Sequence, residues 1–365
     1  MVLYSAPCGV SGSFWHMRAD TIPQRKCLFN TDDDRTCSDS RGGGAFHSFN
    51  TIISRENILQ SWKEFLKGKR YKKDVSEFSL KLDFNLRSLH YDLKNKIYSH
   101  STYIAFRISD PKPRDIHKAT VRDRVVHHAL YKILYPYFDT KFIYDSYSCR
   151  VGKGTHKART RFEQFYNKVS QNKTKQVWVL KCDIKKFFAT IDHVILKNIL
   201  RKHIDDKGIL MLLFNIIDSF HTKDTPYKGL PLGNLTSQLL VNIYMNEFDQ
   251  YVKHILKIQY YIRYADDFAV LSQDKQYLED ILASIAEYLT QRLKLELHPK
   301  KVSIATYSSG IDFLGFVHFP YHKTLRTVTK NRMLQNLARN TNPETKASYL
   351  GMFKWGNTWK IQKDI

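Results

Sequence analysis

The stretch Tyr264-Ala265-Asp266-Asp267 places two adjacent carboxylates between two apolar segments, Ile258-Gln-Tyr-Tyr-Ile-Arg263 before it and Phe268-Ala-Val-Leu271 after it. Both segments are rich in β-branched and aromatic residues, so we predict a strand, a tight turn and a second strand. Asp-Asp is an ordinary turn dipeptide, and these four residues alone are equally compatible with a plain hairpin. A buried carboxylate without a partner is destabilising, however, whereas carboxylates grouped in this way suit Mg²⁺.

A further acid ends the apolar run Val177-Trp-Val-Leu-Lys-Cys-Asp183. If this run is a central strand beside the acidic hairpin, Asp183 would complete a two-metal site, which clamps the attacking and leaving oxygens of a phosphoryl displacement. Crowded carboxylates repel one another when no metal is bound. The assembled trio therefore favours metal binding over a purely structural cluster of acids.

Between these acids lies the loop Gly229-Leu-Pro-Leu-Gly233-Asn-Leu-Thr-Ser-Gln238, which opens an apolar helix predicted to reach Tyr251. Glycine lets backbone N–H groups approach a phosphate, and a helix N-terminus favours negative charge. The alternative is an ordinary helix start capped by Asn234, Thr236 or Ser237.

The order of these elements resembles that of the reverse transcriptases over residues 100–320. The matching blocks are, in chain order, Arg114-Asp-Ile116 with Arg122-Asp-Arg124-Val-Val-His-His128, Asp145-Ser-Tyr-Ser-Cys-Arg150-Val-Gly-Lys-Gly-Thr-His156, the Asp183 strand, the Gly229 loop, the Asp266 hairpin, Leu293-Lys-Leu-Glu-Leu-His-Pro-Lys-Lys301 and Gly310-Ile-Asp-Phe-Leu-Gly315-Phe-Val-His318. The resemblance implies an α+β, right-hand polymerase fold with fingers, a palm whose antiparallel sheet is flanked by helices, and a short helical thumb.

On this basis we divide the chain into four parts. Residues 1–52, rich in Ser, Asp and Gly and without sustained periodicity, are expected to be a flexible or loosely packed extension. Residues 53–175 would form the fingers with N-terminal helices, 176–320 the palm with the catalytic site, and 321–365 the thumb. Helical spacing of apolar residues predicts helices after Ser54, over 78–98, and around 333–337 and 347–355.

The resemblance also implies roles for individual residues. Asp183, Asp266 and Asp267 would bind two Mg²⁺ ions, for which Mn²⁺ is a possible substitute, with help from the backbone carbonyl of Ile184. Lys301 lies where the family often has a lysine that protonates the leaving pyrophosphate, although Lys300 competes for this role.

Three further residues would contact the incoming deoxynucleoside triphosphate. Phe188 lies where the family places an aromatic ring that clashes with a ribose 2′-hydroxyl, although Phe187 fits the same description. Arg114 and Arg124 resemble fingers residues that hold the triphosphate, a task that suits bidentate guanidinium groups. The alternative for the two arginines is a solvated basic surface.

Composition agrees with a nucleic-acid partner. The chain carries 58 Lys and Arg against 35 Asp and Glu, a net charge of +23, with a pI near 9.6. Such a basic excess is typical of proteins that bind nucleic acids, and no apolar run approaches the ~18 residues of a membrane span. The five cysteines are odd in number; a zinc site formed by Cys8, Cys27 and Cys37 with His16 or His47 matches no usual spacing. With no secretory signal visible, we expect a reducing prokaryotic cytoplasm.

The subclass is indicated by the Gly229 loop. Leu232 stands where many relatives have a glutamine, and Gln238 where they have a proline; with Gly233 these residues are the predicted loop contacts to nucleotide and primer–template. The form of this loop, and of Tyr147-Ser-Cys-Arg150 with its glycine-rich continuation, resembles the enzymes of diversity-generating retroelements. That resemblance implies error-prone copying of an RNA template from a DNA or RNA primer. It also implies a structured non-coding RNA and a small basic accessory protein as partners.

Three alternatives stay open at this point. A reverse transcriptase of a prokaryotic antiviral defence system shares the same core. A group II intron enzyme usually has a longer thumb and a maturase segment. A non-catalytic RNA-binding protein on a polymerase fold would be expected to lose one acid of the trio.

Overall fold

The computed structural model describes residues 48–109, 113–223, 225–339, 343–353 and 356. Most of the predicted extension, and with it Cys8, Cys27 and Cys37, therefore lies outside the described residues. The first described element is a helix over Phe49–Ile53, in which Phe49 and Ile52 are buried. Packed chain thus begins before the predicted boundary at residue 52.

Helices and antiparallel strands are mixed along the described chain. The helices are α1 Phe49–Ile53, α2 Arg55–Leu66, α3 Lys73–Leu80, α4 Leu82–Lys94, α5 Val121–Lys141, α6 Thr155–Val169, α7 Phe187–Thr190, α8 His193–His203, α9 Lys207–Asp218, α10 Leu235–Gln250, α11 Lys275–Leu293, α12 Thr327–Arg339 and α13 Pro343–Phe353. The strands are β1 Ile104–Ile108, β2 Arg114–Lys118, β3 Trp178–Asp183, β4 Tyr261–Tyr264, β5 Asp267–Ser272, β6 Ser303–Thr306, β7 Ile311–Phe313, β8 Phe316–His318 and β9 Lys323–Leu325. A π-helical turn over Tyr251–Ile255 extends α10.

The described residues fall into two compact units. The first contains residues 143–185 and those from 248 onward, and the second contains those between 48 and 142 together with 186–247. The two units are interleaved along the chain, whereas the predicted fingers, palm and thumb follow one another. That division stays a prediction.

The first unit is built on a four-stranded antiparallel sheet with the strand order β4-β5-β3-β6. Because successive side chains of a strand point to opposite faces, Val179, Lys181 and Asp183 share one face of β3. At the Val179 end, this face packs into an aromatic core with α6. In this core the ring centres of Phe162 and Phe313 are 4.7 Å apart. The sheet is thus buried at one end of that face, and its charged residues lie at the other.

A second sheet in this unit, β7-β8-β9, packs with the two C-terminal helices. Their small core consists of Phe316, Leu325, Met333, Tyr349 and Phe353. The helices predicted around 333–337 and 347–355 are confirmed as far as residue 353, in α12 and α13.

The second unit is mainly helical, with the β1-β2 hairpin as its sheet. Here the single helix predicted over 78–98 is wrong in two respects. Lys81 leaves the helical conformation (φ −120°, ψ 38°) and separates α3 from α4, and α4 ends at Lys94. Leu80 and Phe84 are 86% and 69% exposed. Apolar residues two positions apart do not share a helix face, so this run could not bury all of its apolar side chains.

Candidate active site

The acidic hairpin forms as predicted, with a two-residue turn. Tyr264 of β4 pairs with Asp267 of β5, which leaves Ala265 and Asp266 to make the turn. Ala265 has φ +58°, in the left-handed region that residues other than glycine rarely adopt. Such a conformation persists only where surrounding contacts enforce it.

Those contacts come from Arg263, whose side chain is fully buried. Its guanidinium donates to both carboxylate oxygens of Asp249, at 2.7 and 2.5 Å, and to the carbonyl of Ala265 at 3.0 Å. Asp249 also accepts the hydroxyl of Tyr261 at 2.8 Å. A buried arginine is tolerated because its charge and its donors are matched in this way. Through the bond to the Ala265 carbonyl, this buried network stabilises the turn.

The segment at Asp145 pairs with the outer side of β4. The N–H of Arg263 donates to the carbonyl of Asp145 at 3.0 Å, and the N–H of Tyr147 donates to the carbonyl of Arg263 at 3.0 Å. The hydroxyl of Ser146 is 3.0 Å from the Arg263 guanidinium. In this unit the block beginning at Asp145 thus supports the hairpin.

Asp183 and Asp267 lie directly opposite each other on neighbouring strands. Asp183 ends β3, Asp267 begins β5, and the two are paired in register. The N–H of Ile184 donates to the carbonyl of Asp266 at 3.2 Å, and the N–H of His298 donates to the carbonyl of Asp183 at 2.7 Å. The structure therefore brings the three predicted acids together at one end of the sheet. Like charges in this position repel.

Each of the two opposed carboxylates has a lysine beside it. The ammonium of Lys301 is 2.8 Å from Oδ1 of Asp183, and that of Lys181 is 3.6 Å from Oδ2 of Asp267. Sequence reasoning missed Lys181. The available signal was strand alternation, since a residue two positions before Asp183 must share its face.

The carboxyl group of Asp267 is held in an unfavourable environment. Burial, followed by the negative charges of Asp266 and Asp183, raises its pKa to about 7, and the Lys181 ammonium opposes this shift. Its Oδ1 is buried and has no hydrogen-bond partner among the described residues. An oxygen of this kind is available to a positively charged ligand.

The donor set fits Mg²⁺ in its chemistry, because all three side chains offer hard carboxylate oxygens and one of these oxygens is buried without a partner. Within the part of the chain that the structure describes, no three His, Cys, Asp or Glu side chains already surround a common point. Asp183 and Asp267 each contact a lysine ammonium, and a metal would have to displace these two contacts.

The predicted triphosphate residues both lie in the second unit. Arg114 begins β2, pairs with Ile108 and is half-buried. The guanidinium of Arg124, in α5, forms an ion pair with Asp74 and lies 4.8 Å from the centre of the Phe65 ring. Arg124 thus has protein partners in this structure.

The two neighbouring phenylalanines differ in burial. Phe187 is a core residue, 3% exposed, whereas Phe188 is half-buried and stacks edge-on against it at 5.7 Å. The carbonyl of Phe188 accepts the N–H of Leu230 at 2.8 Å. Of the two rings, that of Phe188 is therefore the more exposed.

The loop before α10 is tied to β2 in the second unit. The N–H of His117 donates to the carbonyl of Leu232 at 3.1 Å, and the Asn234 amide donates to the carbonyl of His117 at 2.7 Å. Gly233 has φ +106°, and Gln238 lies half-buried in the first turns of α10. Gly229 combines φ +99° with a close approach to Thr222, whose Oγ1 would be 2.2 Å from an added Cβ. Packing within the unit thus accounts for glycine at 229.

Comparison with known proteins identifies the family. Residues 109–318 match the family described as reverse transcriptase (RNA-dependent DNA polymerase). The chain belongs to the reverse transcriptase family. The expected α+β polymerase fold and the assignment as an RNA-directed DNA polymerase, a nucleotidyltransferase, are confirmed at this level.

Relatives of this reverse transcriptase include bacterial and intron-encoded proteins. Protein YkfC of Escherichia coli is 27% identical, over 70% of this chain and 74% of YkfC. The group II intron-encoded protein LtrA of Lactococcus lactis is 23% identical, over 59% of this chain and 45% of LtrA. The reverse transcriptase thus spans less than half the length of LtrA.

Among solved structures, the apo telomerase of Candida tropicalis is similar, with a TM-score of 0.47 and 12% identity over 67% of this chain and 60% of that one. In the described part of the reverse transcriptase, no helix combines the length and apolar character needed to cross a membrane.

We predict that Arg263→Met destabilises the reverse transcriptase by about 3–5 kcal/mol, because it leaves the Asp249 carboxylate buried and unpaired. Urea unfolding followed by near-ultraviolet circular dichroism measures the loss. The matched control is Arg107→Met, which removes an exposed ion pair with Asp115 and should change stability little. Equal losses in the two variants would contradict the importance of the buried pair.

Proposed function

We propose that this reverse transcriptase copies an RNA template into cDNA by metal-assisted phosphoryl transfer, as the error-prone enzyme of a diversity-generating retroelement. The observation that carries the catalytic part is the register of β3 and β5, which sets Asp183 opposite Asp267 with Asp266 in the adjoining turn. The finer assignment depends on the sequence of the Gly229 loop.

In this proposal Asp183, Asp266 and Asp267, with the backbone carbonyl of Ile184, hold two Mg²⁺ ions, and Mn²⁺ can replace them. Bound metal supplies charge stabilisation for the attacking 3′-oxygen of the primer and for the leaving pyrophosphate. The strands hold the carboxylates at the same end of the sheet, so that little chain rearrangement is needed when substrate binds.

Three side chains are the proposed contacts to the incoming nucleotide. Arg114 would bind the triphosphate, and Arg124 would do so after exchanging Asp74 for phosphate. Phe188 would lie under the sugar and exclude a ribose 2′-hydroxyl. Its ring is more exposed than that of Phe187, which is a core residue.

Lys301 is the proposed proton donor to the pyrophosphate, by general acid catalysis. In the structure its ammonium is 2.8 Å from Oδ1 of Asp183. It must therefore leave this carboxylate before it can donate. With 45% of its side chain exposed, Lys301 is free enough to make that movement.

The proposed low fidelity rests on Leu232. A glutamine at this position would hydrogen-bond the incoming nucleotide and the primer–template, whereas leucine offers no polar atom, so geometric checking of the new base pair is weaker. Gly233 and Gln238 complete the loop that would contact nucleotide and primer–template. The proposed partners are the RNA template, a DNA or RNA primer, deoxynucleotides, a structured RNA and a small basic accessory protein, in a prokaryotic cytoplasm.

Replacing any one of Asp183, Asp266 or Asp267 by asparagine should lower cDNA synthesis by on the order of 10³-fold or more, because each removes a charged ligand from the metal site. Primer extension on RNA with labelled deoxynucleotides measures the loss. Asp274→Asn is the control, since Asp274 caps α11 on the surface and asparagine caps equally well. Full activity of all three variants would contradict the catalytic assignment of these acids.

Leu232→Gln should reduce misincorporation opposite template adenines, because it restores a polar contact to the nascent pair. Sequencing of cDNA made on an RNA with all four bases checks this, with Leu232→Met as the control that keeps an apolar side chain. Errors spread evenly over the four template bases in the parent enzyme would reject the diversity-generating assignment and favour antiviral defence.

Phe188→Val should allow ribonucleotide incorporation, because the smaller side chain removes the clash with the 2′-hydroxyl. The measurement is the ratio of ribonucleotide to deoxynucleotide incorporation by primer extension. Phe188→Tyr keeps the ring and should keep the parent ratio. An unchanged ratio in the valine variant would transfer the role to another residue.

A further inference from the structure

The lysines beside the catalytic acids are not equivalent. Lys301 lies after the turn that follows His298, at the start of the chain leading into β6, and is 45% exposed. Lys181 lies within β3, in register with Ala269 of β5 on one side and Ser303 of β6 on the other. Its side chain is 20% exposed.

The position of Lys181 in a central strand restricts the movement of its backbone. The backbone is paired on both edges, so the side chain cannot be moved by a local change of the main chain. It also shares a face with Asp183 and lies diagonally across from Asp267, whose Oδ2 is 3.6 Å away. The lysine stem therefore starts from a fixed backbone position, two residues from Asp183 and one strand away from Asp267.

The environment of Asp267 makes this charge important. The carboxylate faces Asp183 directly and follows Asp266 in the chain. Its Oδ1 has no hydrogen-bond partner among the described residues, so Lys181 is the cation that the structure places beside it. Without a counter-charge, two opposed carboxylates would push the ends of β3 and β5 apart.

We propose that Lys181 is a positioning residue, a built-in counter-ion that holds the Asp267 carboxylate in place opposite Asp183 before metal binds, and that then competes with the metal for this carboxylate. The inference rests on the proposed function, in which the acids hold Mg²⁺. It assigns Lys181 a function distinct from that of Lys301, which can leave the site.

The first test measures metal affinity without catalysis. The full chain, free of metal and nucleotide, is titrated with Mn²⁺ at one fixed pH for all variants, and free Mn²⁺ is followed by electron paramagnetic resonance. Lys181→Met should bind Mn²⁺ roughly three- to tenfold more tightly, because the competing ammonium is gone. Lys181→Arg, which keeps the charge, should return towards the parent affinity.

The control is Lys185→Met, which removes the 2.9 Å ion pair with Glu296 just beyond the end of the same strand. Its Mn²⁺ affinity should match that of the parent. If Lys181→Met binds Mn²⁺ as weakly as the parent or more weakly, the counter-ion role is overturned, while the metal site stands. If the parent itself binds no Mn²⁺, the proposed metal site fails instead.

A second measurement reports the interaction between Lys181 and Asp267 alone. In the metal-free protein, Lys181→Met should lower the melting temperature in the parent background but not in an Asp267→Asn background, because the charge that needs compensation is then absent. A double-mutant cycle of this kind reports the coupling between the two side chains. Equal losses in both backgrounds would show that Lys181 contributes through packing alone.

Discussion

The buried ion pair between Arg263 and Asp249 is the constraint on which the acidic end of the first unit's sheet depends. Its guanidinium satisfies a carboxylate and also the carbonyl of Ala265, so the same group that must be neutralised in the core holds the turn in a left-handed conformation. Removing either partner would leave a charge in a low-dielectric interior, which is far more destabilising than the loss of an exposed pair. Stability and the placement of the acids are therefore linked through one side chain.

The charges at the end of the sheet illustrate a second constraint. The three acids repel one another, and in this structure Lys181 lies beside Asp267 and Lys301 beside Asp183, where their charges offset this repulsion. A site with strong affinity for a divalent cation is destabilising in its absence. The β3-β5 register places the carboxylates of Asp183 and Asp267 and the ammonium of Lys181 on the same face of the sheet.

Much of the site could be predicted from the sequence, because short-range patterns decide it. The hairpin at Asp266, the strand that ends at Asp183 and the helix after the Gly229 loop follow from alternation, turn residues and glycine. Arg263 could not be predicted, since an arginine in a strand reads as a surface residue until Asp249 is brought beside it by the fold. The break at Lys81 could not be predicted from apolar content alone. The apolar residues from Leu80 to Phe84 recur every two positions, a period that fits no single helix face. The difference in burial between Phe187 and Phe188 could not be predicted, because it depends on packing throughout the unit.

The attachment of the Leu232 loop to β2 has a consequence for how such an enzyme changes over generations. The bonds that fix the loop use the carbonyl of Leu232 and the side chain of Asn234, and none of them involves the side chain at 232. Substitution at 232 therefore leaves the loop backbone where it is. Selection can therefore alter the side chain presented at position 232 without first repairing the fold, and under the proposed function such substitutions would change copying accuracy.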